Sequence, residues 1–417
     1  MTETFRGLGA AMMYYAYQAQ ADLMKPWRAV ADATVSFLNG PLVSQFDSAA
    51  VKHWAASLEL FSRAGLTHGR PPFGIDSVHA DGEDVPVHEE AAFSTPFGTL
   101  LRFRKEHVSS EQPRVLVVAP LSGHFATLLR NTVAVLLPDH DVYITDWHNA
   151  RDVSLDAGRF GFDEYVDHVI RFLEEMGPGA HLVSVCQPCA HAFAAVAVMA
   201  ATDNPAQPAS MTLMAGPIDT RINPTTVNEL ATTHSIEWFE KNLISRVPAG
   251  FAGAGRRVYP GFVQLTAFMS MNPKRHVDTH VDLLGHIATG NIERAESTKT
   301  FYDEYFAVLD LTAEFYLETV NLVFQKHLLP QGLLTWHGER VDPAAIRRTA
   351  LLTVEGEKDD ICSVGQTLAA QDLCTSIRPY KKRHHLQAGV GHYGVFSGSR
   401  WAAQIYPIVR NVILAND

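Results

Sequence analysis

The sequence predicts an α/β protein: a mostly parallel sheet, interrupted by a mainly helical insertion and preceded by a helical N-terminal extension. Three observations predict it. Between residues 115 and 214, short apolar runs alternate with stretches of helical periodicity, as a parallel sheet with right-handed crossovers requires. The alternation stops at Gly216-Pro217, and aromatics at helical spacing (Trp238, Phe239, Tyr259, Tyr302, Phe315, Tyr316) run on to about Trp336. The strand pattern then returns at Thr349–Val354 and His384–Gln387, so the helical stretch interrupts the sheet as a cap would. The expected division is 1–80 for the extension, 81–216 with 337–417 for the core, and 217–336 for the cap.

Each element has a local reason. From Gly7 to Trp54, Met12, Tyr15, Tyr17, Leu23, Trp27, Val30, Val35 and Leu38 recur at helical spacing, as in a packed helical hairpin. Their density also suits a surface for an apolar partner. Phe93–Arg104 reads as a hairpin turning at Pro96-Phe97-Gly98. Val115–Ala119, Val142–Thr145, His181–Val185 and Ser210–Met214 are apolar runs of the kind buried on both faces of a sheet. Helical patterns at 125–137, 162–176 and 190–201 lie between them.

Composition excludes several classes. A net charge of −11 without a cluster of Lys and Arg argues against a nucleic-acid partner. Four cysteines in 417 residues make no disulfide framework. No apolar run reaches the roughly 18 residues that span a bilayer, and residues 1–20 lack a secretory pattern. The expectation is a cytoplasmic protein without a transmembrane segment, compatible with a homo-oligomer, and with neither metal nor cofactor.

The chemistry centres on HLVSVCQPCAHAFA, residues 181–194: an apolar strand, then Cys186-Gln187-Pro188, then a helix of small residues. This resembles the nucleophile elbow of α/β-hydrolases, which holds its nucleophile on a strained strand-to-helix turn between small residues. Ser184 takes the place two before the nucleophile. Pro188, two after, departs from the usual glycine, although proline is tolerated in a first helical turn. Helix dipoles and a neighbouring imidazolium favour a thiolate at such a turn. The fold demands the order nucleophile, acid, histidine. Asp359, ending the strand segment before it in Gly356-Glu357-Lys358-Asp359, is the candidate acid, with Asp360 as the alternative. His392, in Gly389-Val390-Gly391-His392, is the candidate base. Oxyanion donors are expected from the N–H of Gln187 and from the loop Pro120–His124, with Leu121 favoured and Ser122 the alternative. Trp147, His124 and Tyr393 are the expected substrate contacts. Cys186-Gln187-Pro188-Cys189 is also C-x-x-C, yet Cys362 and Cys374 stand twelve apart and supply no second zinc pair.

Four segments together resemble the intracellular polyhydroxyalkanoate (polyhydroxybutyrate) depolymerases: residues 119–130 (APLSGHFATLLR), 144–151 (ITDWHNAR), the Cys186-Gln187-Pro188 elbow, and 355–361 (EGEKDDI). The resemblance implies a Cys186–Asp359–His392 triad and attack on the amorphous polyester of storage granules, with the protein attached to the granule. It leaves the acceptor open between water and coenzyme A. Two rivals stand beside it. A polyhydroxyalkanoate synthase uses the same triad, but with an elbow reading G-x-C-x-G-G, where this chain has Ser184, Pro188 and Cys189. A granule-binding protein would hold the polymer without cleaving it.

Overall fold

The computed structural model describes residues 4–40, 48–80, 82–108, 111–271 and 273–417. Its strands are β1 (Ser77–Ala80), β2 (Glu83–Ser94), β3 (Gly98–Lys105), β4 (Arg114–Val118), β5 (Asp141–Trp147), β6 (His181–Val185), β7 (Ser210–Met214), β8 (Ser245–Arg246), β9 (Arg257–Tyr259), β10 (Leu311–Thr312), β11 (Thr335–Trp336), β12 (Glu339–Arg340), β13 (Ala350–Gly356) and β14 (Lys382–Gln387). Nine of them form one sheet in the order β1-β2-β3-β5-β4-β6-β7-β13-β14. The six from β5 to β14 pair in parallel, and β1, β2 and β3 form an antiparallel edge. The hairpin expected at Pro96-Phe97-Gly98 joins β2 to β3, closed by the Thr95 N–H on the Gly98 carbonyl at 2.9 Å.

Why these runs become central strands is visible in β4. Leu116 and Val118 enter the core on one face, and Val115 and Val117 enter the core on the other, all fully buried. A strand covered on both faces needs apolar residues at every position, so it shows no alternation. The first core is closed by α4 (Phe162–Met176) and α5 (Cys189–Ala201). The second is closed by α3 (Arg130–Leu136) and the C-terminal helix Tyr406–Leu414.

The chain between β7 and β13 holds α6 (Thr226–Thr233), α7 (Ile236–Leu243), α8 (Gly261–Met271), α9 (Pro273–Thr289), α10 (Ile292–Tyr305) and α11 (Ala313–Thr319). It is mainly helical, as expected, but also carries the small sheet β10-β9-β8 and the hairpin of β11 and β12. These two- and three-residue strands are too short to leave a periodic pattern in the sequence.

At the N-terminus, α1 (Thr4–Leu38) and α2 (Ala49–Arg63) form the expected helical extension. α1 is fastened by a buried polar cluster. The Tyr14 hydroxyl donates to Asp310 Oδ2 at 2.5 Å, and Asp310 Oδ1 accepts the Gly261 N–H at 2.9 Å. The Tyr17 hydroxyl lies 2.8 Å from His68 Nε2, and its ring stacks on Phe262 at 4.0 Å. Burial raises the Asp310 carboxyl to about 6.

Candidate active site

β6 ends at Val185 and α5 begins at Cys189, leaving Cys186, Gln187 and Pro188 to make the turn. Cys186 has φ 65°, a left-handed conformation that costs a non-glycine residue about 1–3 kcal/mol and persists only where the surroundings enforce it. Here they do. The Cys186 N–H donates to the Met214 carbonyl at 2.8 Å, and its carbonyl accepts the Cys189 N–H at 3.1 Å. Pro188 sits at the start of the helix, where its carbonyl accepts the Ala192 N–H at 2.8 Å and a proline N–H is not needed. Gly216, just past the end of β7, leaves the room: a Cβ there would lie 2.2 Å from Cys189 Sγ and 2.9 Å from the Cys186 carbonyl.

The three residues singled out as a triad come together. His392 Nε2 is 3.0 Å from Cys186 Sγ, and His392 Nδ1 is 2.8 Å from Asp359 Oδ2. Burial alone would push His392 down. Electrostatic interaction with the Cys186 sulfur and the hydrogen bond to Asp359 outweigh it and raise the imidazole to about 10. The second carboxylate oxygen, Asp359 Oδ1, accepts the N–H groups of Ile361 and Cys362 at 2.9 and 2.8 Å. Asp360, the alternative acid, is exposed.

A second buried carboxylate, missed in the sequence, orders the loop that follows Asp359. Glu355 is fully buried at the end of β13, where it accepts the N–H groups of Gly365, Thr367 and Leu368. Thr367 in turn clasps Gly216, accepting its N–H at 2.8 Å and donating to its carbonyl at 2.9 Å. The loop carrying the acid and the seat of the elbow are therefore one bonded unit. In the sequence, Glu355 reads only as one of five charged residues in a row of seven.

The loop Pro120–His124 faces the elbow. The Leu121 N–H points across the gap and donates to Gln187 Oε1 at 3.3 Å, while among the described residues the Gln187 N–H has no hydrogen-bond partner. Ser122 lines the same space. His124 also lines it, buried, its Nε2 against the Tyr305 carbonyl at 3.2 Å, and burial lowers it to about 4, so it is neutral. Tyr393 lines the cavity beside His392.

Trp147 does not. Expected as a substrate contact, it is 2% exposed and packs in the core against Tyr165, with ring centroids 4.3 Å apart. The expectation failed because the last residue of β5 turns its side chain under the sheet, towards α4. Its Nε1–H donates to the Ala119 carbonyl at 3.0 Å, and the Tyr165 hydroxyl, also missed, donates to the same oxygen at 3.1 Å. Both thus fix the end of the strand that leads into Leu121.

Cys186 opens into a cavity of about 500 Å³. The core supplies its floor; Leu230, Phe239, Tyr259, Phe315 and Tyr316 of the insertion supply its walls. Among its described lining residues there is no Asp, Glu, Lys or Arg. Cys189 does not reach it: the thiol is buried, 3.4 Å from the Ser184 carbonyl, and burial pushes it up to about 12. All four cysteines are free.

A sheet of this strand order, with the elbow after β6, the acid after β13 and the histidine after β14, is an α/β-hydrolase. Residues 215–417 match the family described as PHB de-polymerase C-terminus. The match contains the insertion, Asp359 and His392, and begins after the elbow. No protein of curated function matches the sequence. Solved structures with a similar chain path include a putative lipase from Acinetobacter baumannii AYE, with 16% identity over 80% of this chain and 93% of that one at a TM-score of 0.45. Another is the esterase RhEst1 from Rhodococcus sp. ECU1013, with 14% identity over 79% and 99% at 0.43.

Proposed function

We propose that this chain is a poly(3-hydroxybutyrate) depolymerase that cleaves the polyester through a cysteine acyl-enzyme. One observation carries the reading: Asp359, His392 and Cys186 stand in hydrogen-bonded sequence at the floor of a cavity without charged walls. An uncharged polyester meets no unpaired charge there, whereas an anionic substrate would find no Lys or Arg among the described lining residues, and the His392 imidazolium is already paired with Cys186 and Asp359. The family match to PHB depolymerases supports the choice of polymer.

In the proposed reaction, the Cys186 thiolate attacks an ester carbonyl while His392 stands protonated beside it. The C–S bond forms, and the carbonyl oxygen becomes an oxyanion facing the N–H groups of Gln187 and Leu121. Gln187 Oε1, which now accepts the Leu121 N–H, is displaced by that oxygen. As the C–O bond breaks, His392 gives its proton to the leaving alkoxide, and a thioester remains on Cys186. Water, its proton taken by His392, then attacks the thioester, and the C–S bond breaks to release 3-hydroxybutyrate or a short oligomer. Coenzyme A is the rival acceptor; its attack would yield an acyl-CoA.

The test is product release from amorphous granules by purified protein, with and without coenzyme A. Cys186→Ala should lose at least about 10³-fold in rate. Turnover by that variant close to the parent's would end the proposal. Formation of acyl-CoA only in the arm with coenzyme A would replace water by the thiol as acceptor.

A further inference from the structure

The inner face of α1 follows a regular seam. Tyr14, Ala31, Val35 and Leu38 are buried, with Tyr17, Ala21, Met24 and Arg28 partly buried between them, at alternating steps of three and four. That is the one face an amphipathic helix needs. The opposite face is also apolar: Met12, Tyr15, Leu23, Trp27, Val30 and Phe37 are 51–69% exposed, and Leu23, Val30 and Phe37 stand seven residues apart on one line. A helix apolar on two sides is built to be covered on both. On α2, Trp54 is 55% exposed as well.

We infer that this outer face of α1 is the surface by which the enzyme sits on its insoluble polyester. The inference rests on the proposed function for its substrate, and on charge for its choice of occupant. Between Met12 and Phe37 the exposed residues of α1 include only three charges, Asp22, Lys25 and Asp32, one positive against two negative. An anionic bilayer selects helices with a basic rim, and this face has none. A second copy of the chain would bring a further net charge of −11 against the first. A neutral aliphatic polyester opposes neither the apolar stripe nor the acidic body.

The helix is also wired to the cavity. Tyr14 holds Asp310, whose neighbour Leu311 lines the cavity; Asp310 holds the N–H of Gly261, which starts α8, and α8 supplies Gln264 and Ala267 to the wall. A surface that binds the outer face of α1 therefore lies one helix away from the walls through which a polymer segment reaches Cys186.

The experiment compares the full chain with a variant carrying Leu23→Glu, Trp27→Glu and Phe37→Glu. Cosedimentation with amorphous polyester granules, cosedimentation with vesicles of an anionic lipid, the oligomeric state in solution and turnover of a short soluble ester are measured for both. The expected result is at least tenfold weaker granule binding by the variant, soluble-ester turnover within twofold of the parent, and neither vesicle binding nor a change in oligomeric state. Undiminished granule binding by the variant overturns the inference. So does vesicle binding by the parent that the variant loses, or an oligomer of the parent that the variant dissolves. Should the triple variant lose soluble-ester turnover too, the milder set Leu23→Ser, Trp27→Ser and Phe37→Ser repeats the comparison under the same criteria. Granule binding is read without catalysis, so a parent that binds granules through this face but releases no product sinks the depolymerase reading and leaves the surface standing.

Discussion

The carboxyl edge of the sheet and the N-terminal helix pair solve opposite problems. At the edge, the polar groups of the site are buried and bonded in series: Glu355 to Thr367, Thr367 to Gly216, and Asp359 to His392 to Cys186. A buried network of this kind fixes one geometry, because any member left alone costs more than its bond is worth. α1 is held by the buried Tyr14–Asp310 pair, the Tyr17–His68 contact and its inner apolar seam, and offers the side chains of its opposite face to the outside. The difference teaches where function depends on position and where it depends on surface. Changes at the edge should alter rates on every substrate, and changes on the helix should alter stability or attachment while the chemistry persists.

The comparison can be broken most forcefully at Asp359. Asp359→Asn keeps the size but removes the charge that orients the imidazole, so turnover should fall about 10²–10⁴-fold on soluble ester and polymer alike. Asp360→Asn, one position on and exposed, should stay within about twofold of the parent. Equal losses in the two variants would mean that the acid has been misplaced.

A smaller effect concerns pH. His392 is held up to about 10, so its imidazolium survives through neutral pH. Loss of the imidazolium in the free enzyme should therefore lower kcat/KM only as pH rises through that value, roughly tenfold per pH unit beyond it. Because the raising groups are Cys186 and Asp359, Cys186→Ser should let the imidazole titrate lower, which NMR of the ring can follow. An unshifted titration in that variant would remove the sulfur from the account.

The smallest effect belongs to α1. Tyr14→Phe leaves the buried Asp310 short of a donor and should cost about 1–3 kcal/mol of stability in denaturant unfolding. Turnover of a soluble ester by the folded variant should stay unchanged. A lowered turnover with unaltered stability would show that the helix acts on the chemistry itself.

The sequence makes the parallel strands legible because each is buried on both faces and must be apolar throughout, as Val115–Ala119 is. The elbow is legible because a cysteine, a proline and a run of small residues have no simpler use where a strand becomes a helix. Asp359 and His392 follow from their order along the chain. Trp147 was misplaced because a strand's end reveals its position at the sheet edge but not which face its last side chain takes. Glu355 and Tyr165 stayed hidden for another reason: their value lies in backbone groups of distant loops, and backbone groups leave no trace in residue identity. The apolar outer face of α1 was legible as composition alone, since only the packed structure tells which of its aromatics are covered.

The clasp between Thr367 and Gly216 bears on how such a site can be transplanted. Exchanging the loop that carries the acid with one from a relative would also exchange the hydroxyl that grips the neighbouring strand end. Any side chain larger than hydrogen at Gly216 would press on the backbone of the turn at Cys186. Grafts that respect this should move the strand end, the turn and the acid's loop together, as a single cassette.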